Sequence, residues 1–192
     1  MLTFVRKVLE KEEEGIVMKG LFHIYTGEGK GKTTAALGMA LRAFGSGLRV
    51  LYCQFLKSGD SGEHQALALL GERLTVLQYK SVKGFIKNMR PEEQERVYAE
   101  QRLLFERVRQ ETAGGRYDLV ILDEILPAVD MGILSEEEVS DFIRERPPQV
   151  ELVFTGRNAP AGLTGLADYV SEIVKRKHPY DRGVGMRKGI EY

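Results

Sequence analysis

YTGEGKGKTTAALG, residues 25–38, packs three glycines and two lysines into a turn and follows them at once with good helix formers. The apolar run LFHIYT (21–26) leads into it and reads as a strand. A glycine-rich turn between a strand and a helix lets several backbone N–H groups converge on one point, and the helix N-terminus adds partial positive charge. The arrangement is an anion cradle. Gly31, Lys32 and Thr33 fit the end of the Walker A motif, in which the lysine reaches phosphate oxygens and the hydroxyl ligates magnesium. The usual motif has a glycine five residues before Gly31, where this chain has Thr26, so the loop is a shorter variant that begins at Gly27. Lys30 is a second cation beside the first and suits a triphosphate held along its length.

Working outward, short aliphatic and aromatic runs recur at 49–55, 74–79, 118–124, 150–156 and 169–174 and read as further strands. Between them lie candidate helices at 32–45, 62–71, 90–112, 135–145 and 162–167. Strands that hardly alternate, in a β-then-α rhythm, predict an α/β fold like that of P-loop NTPases: a mostly parallel sheet of about six strands with helices on both faces. Ser135 with Glu138 forms a capping box for the helix at 135–145, and Pro147 and Pro148 stop it. Residues 1–19 read as a charged lead-in helix, and nothing in 192 residues asks for more than one domain.

Composition narrows the partners. Lys plus Arg equals Asp plus Glu at 28 each, so no net basic field points to nucleic acid or a membrane surface, and small molecules are the expected ligands. The single cysteine, Cys53, lies inside the apolar run VLYCQF and is expected in the core. No run approaches the ~18 apolar residues of a bilayer span, and a cytoplasmic protein is expected.

A nucleotide site of this kind needs an acidic element on a neighbouring strand. DLVILDE (118–124) supplies it: Asp123 and Glu124 close an apolar run at the carboxyl end of a predicted central strand, where open α/β sheets collect their ligands. Asp123 reads as the carboxylate that holds magnesium directly or through water, with Glu124 as a second acidic contact. His23, His64 and His178 are too scattered to form a metal cluster, and there is no CxxC pair. The residues themselves thus point to a nucleoside triphosphate and magnesium and leave the reaction open.

The segments YTGEGKGKTTAALGMALRA, QFLKSGDSGE, YDLVILDEI, FTGRNAP and KHPYDRGVGMRKGIEY together carry a resemblance. Over essentially its whole length the chain resembles the P-loop-type corrinoid adenosyltransferase family, the ATP:cob(I)alamin adenosyltransferases. The resemblance implies transfer of the 5′-deoxyadenosyl group of ATP to Co(I) of a reduced corrinoid, with triphosphate as leaving group and ATP lying reversed in the loop. It implies ATP, Mg2+ and corrinoid as ligands, an external electron donor and a homodimer. Residue by residue, it carries phosphate binding to Gly27, Glu28, Gly29, Lys30, Gly31, Lys32, Thr33 and Thr34. Lys32 and Glu124 take catalytic roles, and Thr33, Asp123 and Glu124 take the metal. Gln54, Lys57 and Glu63 fall where the family shapes its nucleotide and corrin pocket, Arg157 where it can meet nucleotide, and His178 in a closing tail over 176–192. Phe85 matches an aromatic wedge under the corrin, although Lys87 stands where a tryptophan is common and the chain has none.

Two readings of other classes compete. One is a conventional P-loop kinase or ATPase resembling thymidine kinases, whose zinc-binding cysteine set a single cysteine cannot build. The other is a non-catalytic nucleotide- or corrinoid-binding module.

Overall fold

A computed structural model describes residues 19–57, 62–79 and 86–191, apart from the side chain of Lys87. The predicted lead-in helix, the aromatic at Phe85 and the side chain at Lys87 therefore lie outside the described residues.

Six strands form one sheet: β1 (Phe22–Thr26), β2 (Val50–Gln54), β3 (Leu74–Gln78), β4 (Leu119–Asp123), β5 (Glu151–Thr155) and β6 (Tyr169–Glu172). Their order is β3-β2-β4-β5-β1-β6, and every pairing is parallel. Among the described residues the α-helices are α1 (Lys32–Gly45), α2 (Gly62–Ala68), α3 (Pro91–Ala113), α4 (Ile125–Asp130), α5 (Glu136–Glu145) and α6 (Ala161–Leu166).

The apolar strands split their side chains between two cores, which is why they do not alternate in polarity. Phe22, Ile24, Leu51, Cys53, Val120, Leu122, Leu152 and Phe154 enter one core with α3, α4, α5 and α6. Val50, Tyr52, Leu119, Ile121 and Val153 enter the other with α1 and α2. On α1 the buried positions Ala36, Ala40 and Ala43 are small and spaced by four and three residues, so this helix lies close on the sheet. The larger core is anchored on Phe154, edge-on to Phe22 at 4.8 Å between ring centroids and stacked on Phe142 at 6.4 Å. Truncating such a ring costs about 3–5 kcal/mol.

The predicted boundaries hold within a few residues, with two differences. The run at 169–174 is an edge strand, β6, all of whose residues are exposed, rather than a strand covered on both faces. The helix α4 was not read from the sequence. Pro127 lies in its first turn, where a missing N–H leaves no intrahelical bond unmade. The capping box is present: Glu138 N–H donates to Ser135 Oγ at 3.1 Å, and Ser135 N–H donates to Glu138 Oε2 at 2.9 Å.

Candidate active site

The site lies at the carboxyl ends of β1, β2, β4 and β5, and each strand delivers one part of it. From β1 the chain turns through Gly27 to Gly31 into α1. Gly31, the residue before the helix, has φ +121°, a conformation that favours glycine. Gly27 and Gly29 face another constraint: a Cβ on either would come within 2.6 Å of the Ile173 carbonyl oxygen just beyond β6. Gly29 N–H donates to that oxygen at 2.6 Å, and Ile173 N–H donates to Thr26 O at 2.8 Å. The loop is thus shaped by its neighbour strand as well as by any ligand.

Lys32 is buried and turns back over the loop, donating to Gly27 O at 2.6 Å and Gly29 O at 2.9 Å. Burial holds its pKa below the ordinary lysine value, with Glu124 opposing and Arg157 reinforcing that shift. Lys30 points elsewhere: its ammonium donates to Ile190 O at 3.2 Å and Glu191 Oε1 at 3.0 Å in the tail. Thr34 is exposed on α1. Glu28, also exposed, pairs with Arg157 Nη1 at 3.3 Å, so the arginine after β5 meets the loop's own carboxylate.

At the centre is Asp123, with no exposed surface. Its Oδ1 accepts from Thr33 Oγ1 at 2.8 Å and Thr155 Oγ1 at 2.6 Å. Its Oδ2 accepts from Tyr52 Oη at 3.0 Å, Gln54 Nε2 at 3.1 Å and Lys57 Nζ at 2.8 Å. Burial alone would raise this carboxyl, but Lys57 and the hydroxyl and amide donors outweigh it and keep its pKa below the usual range. Sheet register accounts for the convergence: Gln54 pairs with Asp123, and Thr155 follows the Leu122–Phe154 pair.

Glu124 leaves β4 in the left-handed region at φ +60° and caps α4. Its N–H donates to Thr155 Oγ1 at 3.0 Å, which holds this costly backbone in place. Burial, with Asp123 adjacent, pushes its carboxyl pKa up. Lys57 Nζ lies 2.9 Å from Thr33 Oγ1 and 3.9 Å from Glu124 Oε1. A hydroxyl and two carboxylates are hard oxygen donors, and a cationic group already stands among them, so the set fits Mg2+. Among the described residues no three His, Cys, Asp or Glu side chains form a metal group. Magnesium in nucleotide sites needs no such group, because phosphates and water complete its shell.

Of the remaining predicted residues, Glu63 is half-buried in the first turn of α2; burial and then Asp123 push the Tyr52 phenol up, and the Glu63 charge adds to them. His178 accepts from Tyr180 N–H at 3.2 Å and caps a short turn at Pro179–Arg182, a local role within the tail. Two residues of the Asp123 cluster, Tyr52 and Thr155, had no place in the sequence-based site. Their only signal was a polar group inside an apolar run, and its direction depends on the register between strands.

A family model described as ATP:corrinoid adenosyltransferase BtuR/CobO/CobP matches residues 18–192. The chain is 36% identical over 175 residues to the corrinoid adenosyltransferase of Escherichia coli (strain K12), covering 91% of this chain and 86% of that protein. It is 34% identical over 187 residues to the corrinoid adenosyltransferase CobA of Salmonella typhimurium, covering 97% and 90%. AMPPCP-bound DnaA from Aquifex aeolicus overlays 98% of this chain and 54% of its own at a TM-score of 0.34 and 15% identity, too loose a fit to inform fold or function. Among the described residues no helix is long and apolar enough to cross a membrane. With the family model spanning all but the first 17 residues, and with relatives matched over most of their length, the chain belongs to the ATP:corrinoid adenosyltransferase family.

Proposed function

We propose that this protein transfers the 5′-deoxyadenosyl group of ATP to the Co(I) centre of a reduced corrinoid of the cobalamin or cobinamide type, releasing triphosphate. The observation that carries the reading is the joining of the Gly27–Lys32 cradle to the Thr33–Asp123 pair, at 2.8 Å, in a chain of this family. The Co(I) electron pair forms the cobalt–carbon bond at C5′, the C5′–O bond breaks, and its electrons leave on the triphosphate. Cobalt is oxidised formally to Co(III).

A nucleophile this strong needs no base, so the protein's work is positioning, charge stabilisation and exclusion of water. Lys32 exchanges its two loop carbonyls for phosphate oxygens, and Lys30 reaches the same leaving group once released from the tail. Thr33, Asp123 and Glu124 hold Mg2+, which when bound neutralises charge developing on the triphosphate. Gln54, Lys57 and Glu63 shape the nucleotide and corrin pocket, Phe85 takes the role of the family's aromatic wedge under the corrin, Arg157 flanks the loop, and the 176–192 tail with His178 closes it. A single domain, a homodimer, a cytoplasmic location and an external reductant for cobalt complete the reading.

Incubation with ATP, magnesium and chemically reduced cobalamin tests it. Adenosylcobalamin and triphosphate in equal amounts are expected. ADP without a cobalt–carbon bond would make the protein a kinase or ATPase, and the absence of either product would make it a binding module.

A further inference from the structure

Lys57 joins two features that the reading above leaves unexplained. Its ammonium stands 2.8 Å from Asp123 Oδ2, 2.9 Å from Thr33 Oγ1 and 3.9 Å from Glu124 Oε1, the oxygen donors that fit magnesium. The turn that sends it there is strained. Leu56 has φ +56°, a region that a bulky side chain rarely occupies. The strain is held from both sides: Leu56 N–H donates to the buried Gln101 Oε1 of α3 at 3.0 Å, and Phe55 N–H donates to Asp123 O at 2.9 Å. The structure therefore uses unfavourable backbone to aim one lysine at one carboxylate.

An ammonium and a magnesium ion cannot share these donors. Magnesium binds oxygen at about 2.0–2.1 Å and draws its ligands into an octahedron, and a second cation hydrogen-bonded to two of the same oxygens would be repelled in a water-poor site. Lys57 has a way out, since its side chain is 32% exposed while Asp123 is fully covered. We propose that Lys57 is the resident counter-cation of the Thr33–Asp123 pair and that magnesium displaces it when nucleotide enters. Metal binding is thereby linked to the position of the chain leaving β2.

This inference rests on the magnesium–nucleotide reading and deepens it. Before ligand binds, Lys57 pairs with Asp123 Oδ2 and holds Thr33 Oγ1 in place. It also raises the cost of binding a free divalent ion, which must expel the lysine unaided by phosphates. The site then favours the metal delivered with its nucleotide over the metal alone.

Amine-reactive labelling of the unmodified protein, read residue by residue by mass spectrometry, tests the exchange. With ATP and EDTA, Lys57 labelling should be unchanged; adding magnesium should raise it several-fold, while calorimetry on the same samples reports binding of magnesium–ATP. Binding with Lys57 unchanged or less reactive would overturn the exchange alone and leave the nucleotide site standing. No binding of magnesium–ATP would overturn the nucleotide reading, and this inference with it. Separately, Mn2+ titration of the nucleotide-free protein followed by electron paramagnetic resonance should show at least ten-fold tighter binding in Lys57→Met, after circular dichroism has verified its fold. Equal or weaker binding would sink the proposal.

Discussion

Gly29 and Ile173, 144 positions apart in the chain, are joined by an N–H to carbonyl bond of 2.6 Å that ties the phosphate loop to the segment following the edge strand. One amide of the cradle is thereby spent on the protein itself. It also fixes the height at which the loop stands above the sheet.

Gly29→Ala tests that tie. The added methyl would come within 2.6 Å of Ile173 O and 2.7 Å of Ile173 Cγ2, so loop or strand must move. A loss of ATP affinity of about ten-fold or more, from a loop displaced by a fraction of an ångström, is expected by calorimetry. Unchanged affinity would show that the cradle does not depend on this contact.

Lys32→Met removes the buried ammonium and keeps its methylenes. Loss of one charged contact to a leaving group typically lowers turnover by about 10²–10³-fold. The loss should persist at saturating ATP in the cobalt-alkylation assay, because the contact strengthens as charge develops. A change confined to KM would mean that Lys32 only binds.

Thr155→Val leaves Asp123 Oδ1 one donor short and Glu124 N–H without its acceptor. Asp123 Oδ1 keeps Thr33, but the orphaned Glu124 N–H costs about 1–3 kcal/mol, so urea unfolding should show a loss in that range or above. Thr155→Ser should restore most of it. Failure of serine to rescue would assign the effect to the methyl group's packing instead.

Glu191 is held by Arg187 and Lys30, which lower its pKa to about 2. A folded-state pKa below the unfolded value means that this contact is fully present above the ordinary glutamate pKa and is lost as pH falls through about 2. A carboxyl carbon NMR titration should place the Glu191 midpoint well below that of an exposed glutamate. Glu191→Gln should free Lys30 and tighten ATP binding, by no more than about five-fold for a pair whose lysine is exposed and less in high salt. Weaker binding would make the tail a partner in holding nucleotide.

Much of this was legible in the chain. The cradle announced itself because glycine, lysine and threonine at that spacing have few other uses between a strand and a helix. The sheet did so because strands covered on both faces are apolar over most of their length. What stayed hidden depends on register. Thr155 and Tyr52 read as ordinary strand residues until β4 lies between β5 and β2, with Asp123 level with both strand ends. Lys57 could be assigned to a pocket but not to a carboxylate, because its direction comes from the left-handed turn at Leu56. α4 was missed because Pro127 argues against a helix everywhere except in a first turn.

Cys53 sits in β2 with no exposed surface, and burial followed by the Asp123 charge pushes its thiol pKa well up. It is the chain's one cysteine. The protein therefore carries its own clock for opening of the sheet: a thiol reagent should modify it only as fast as β2 is laid bare, at a rate nucleotide slows, with no engineered label required.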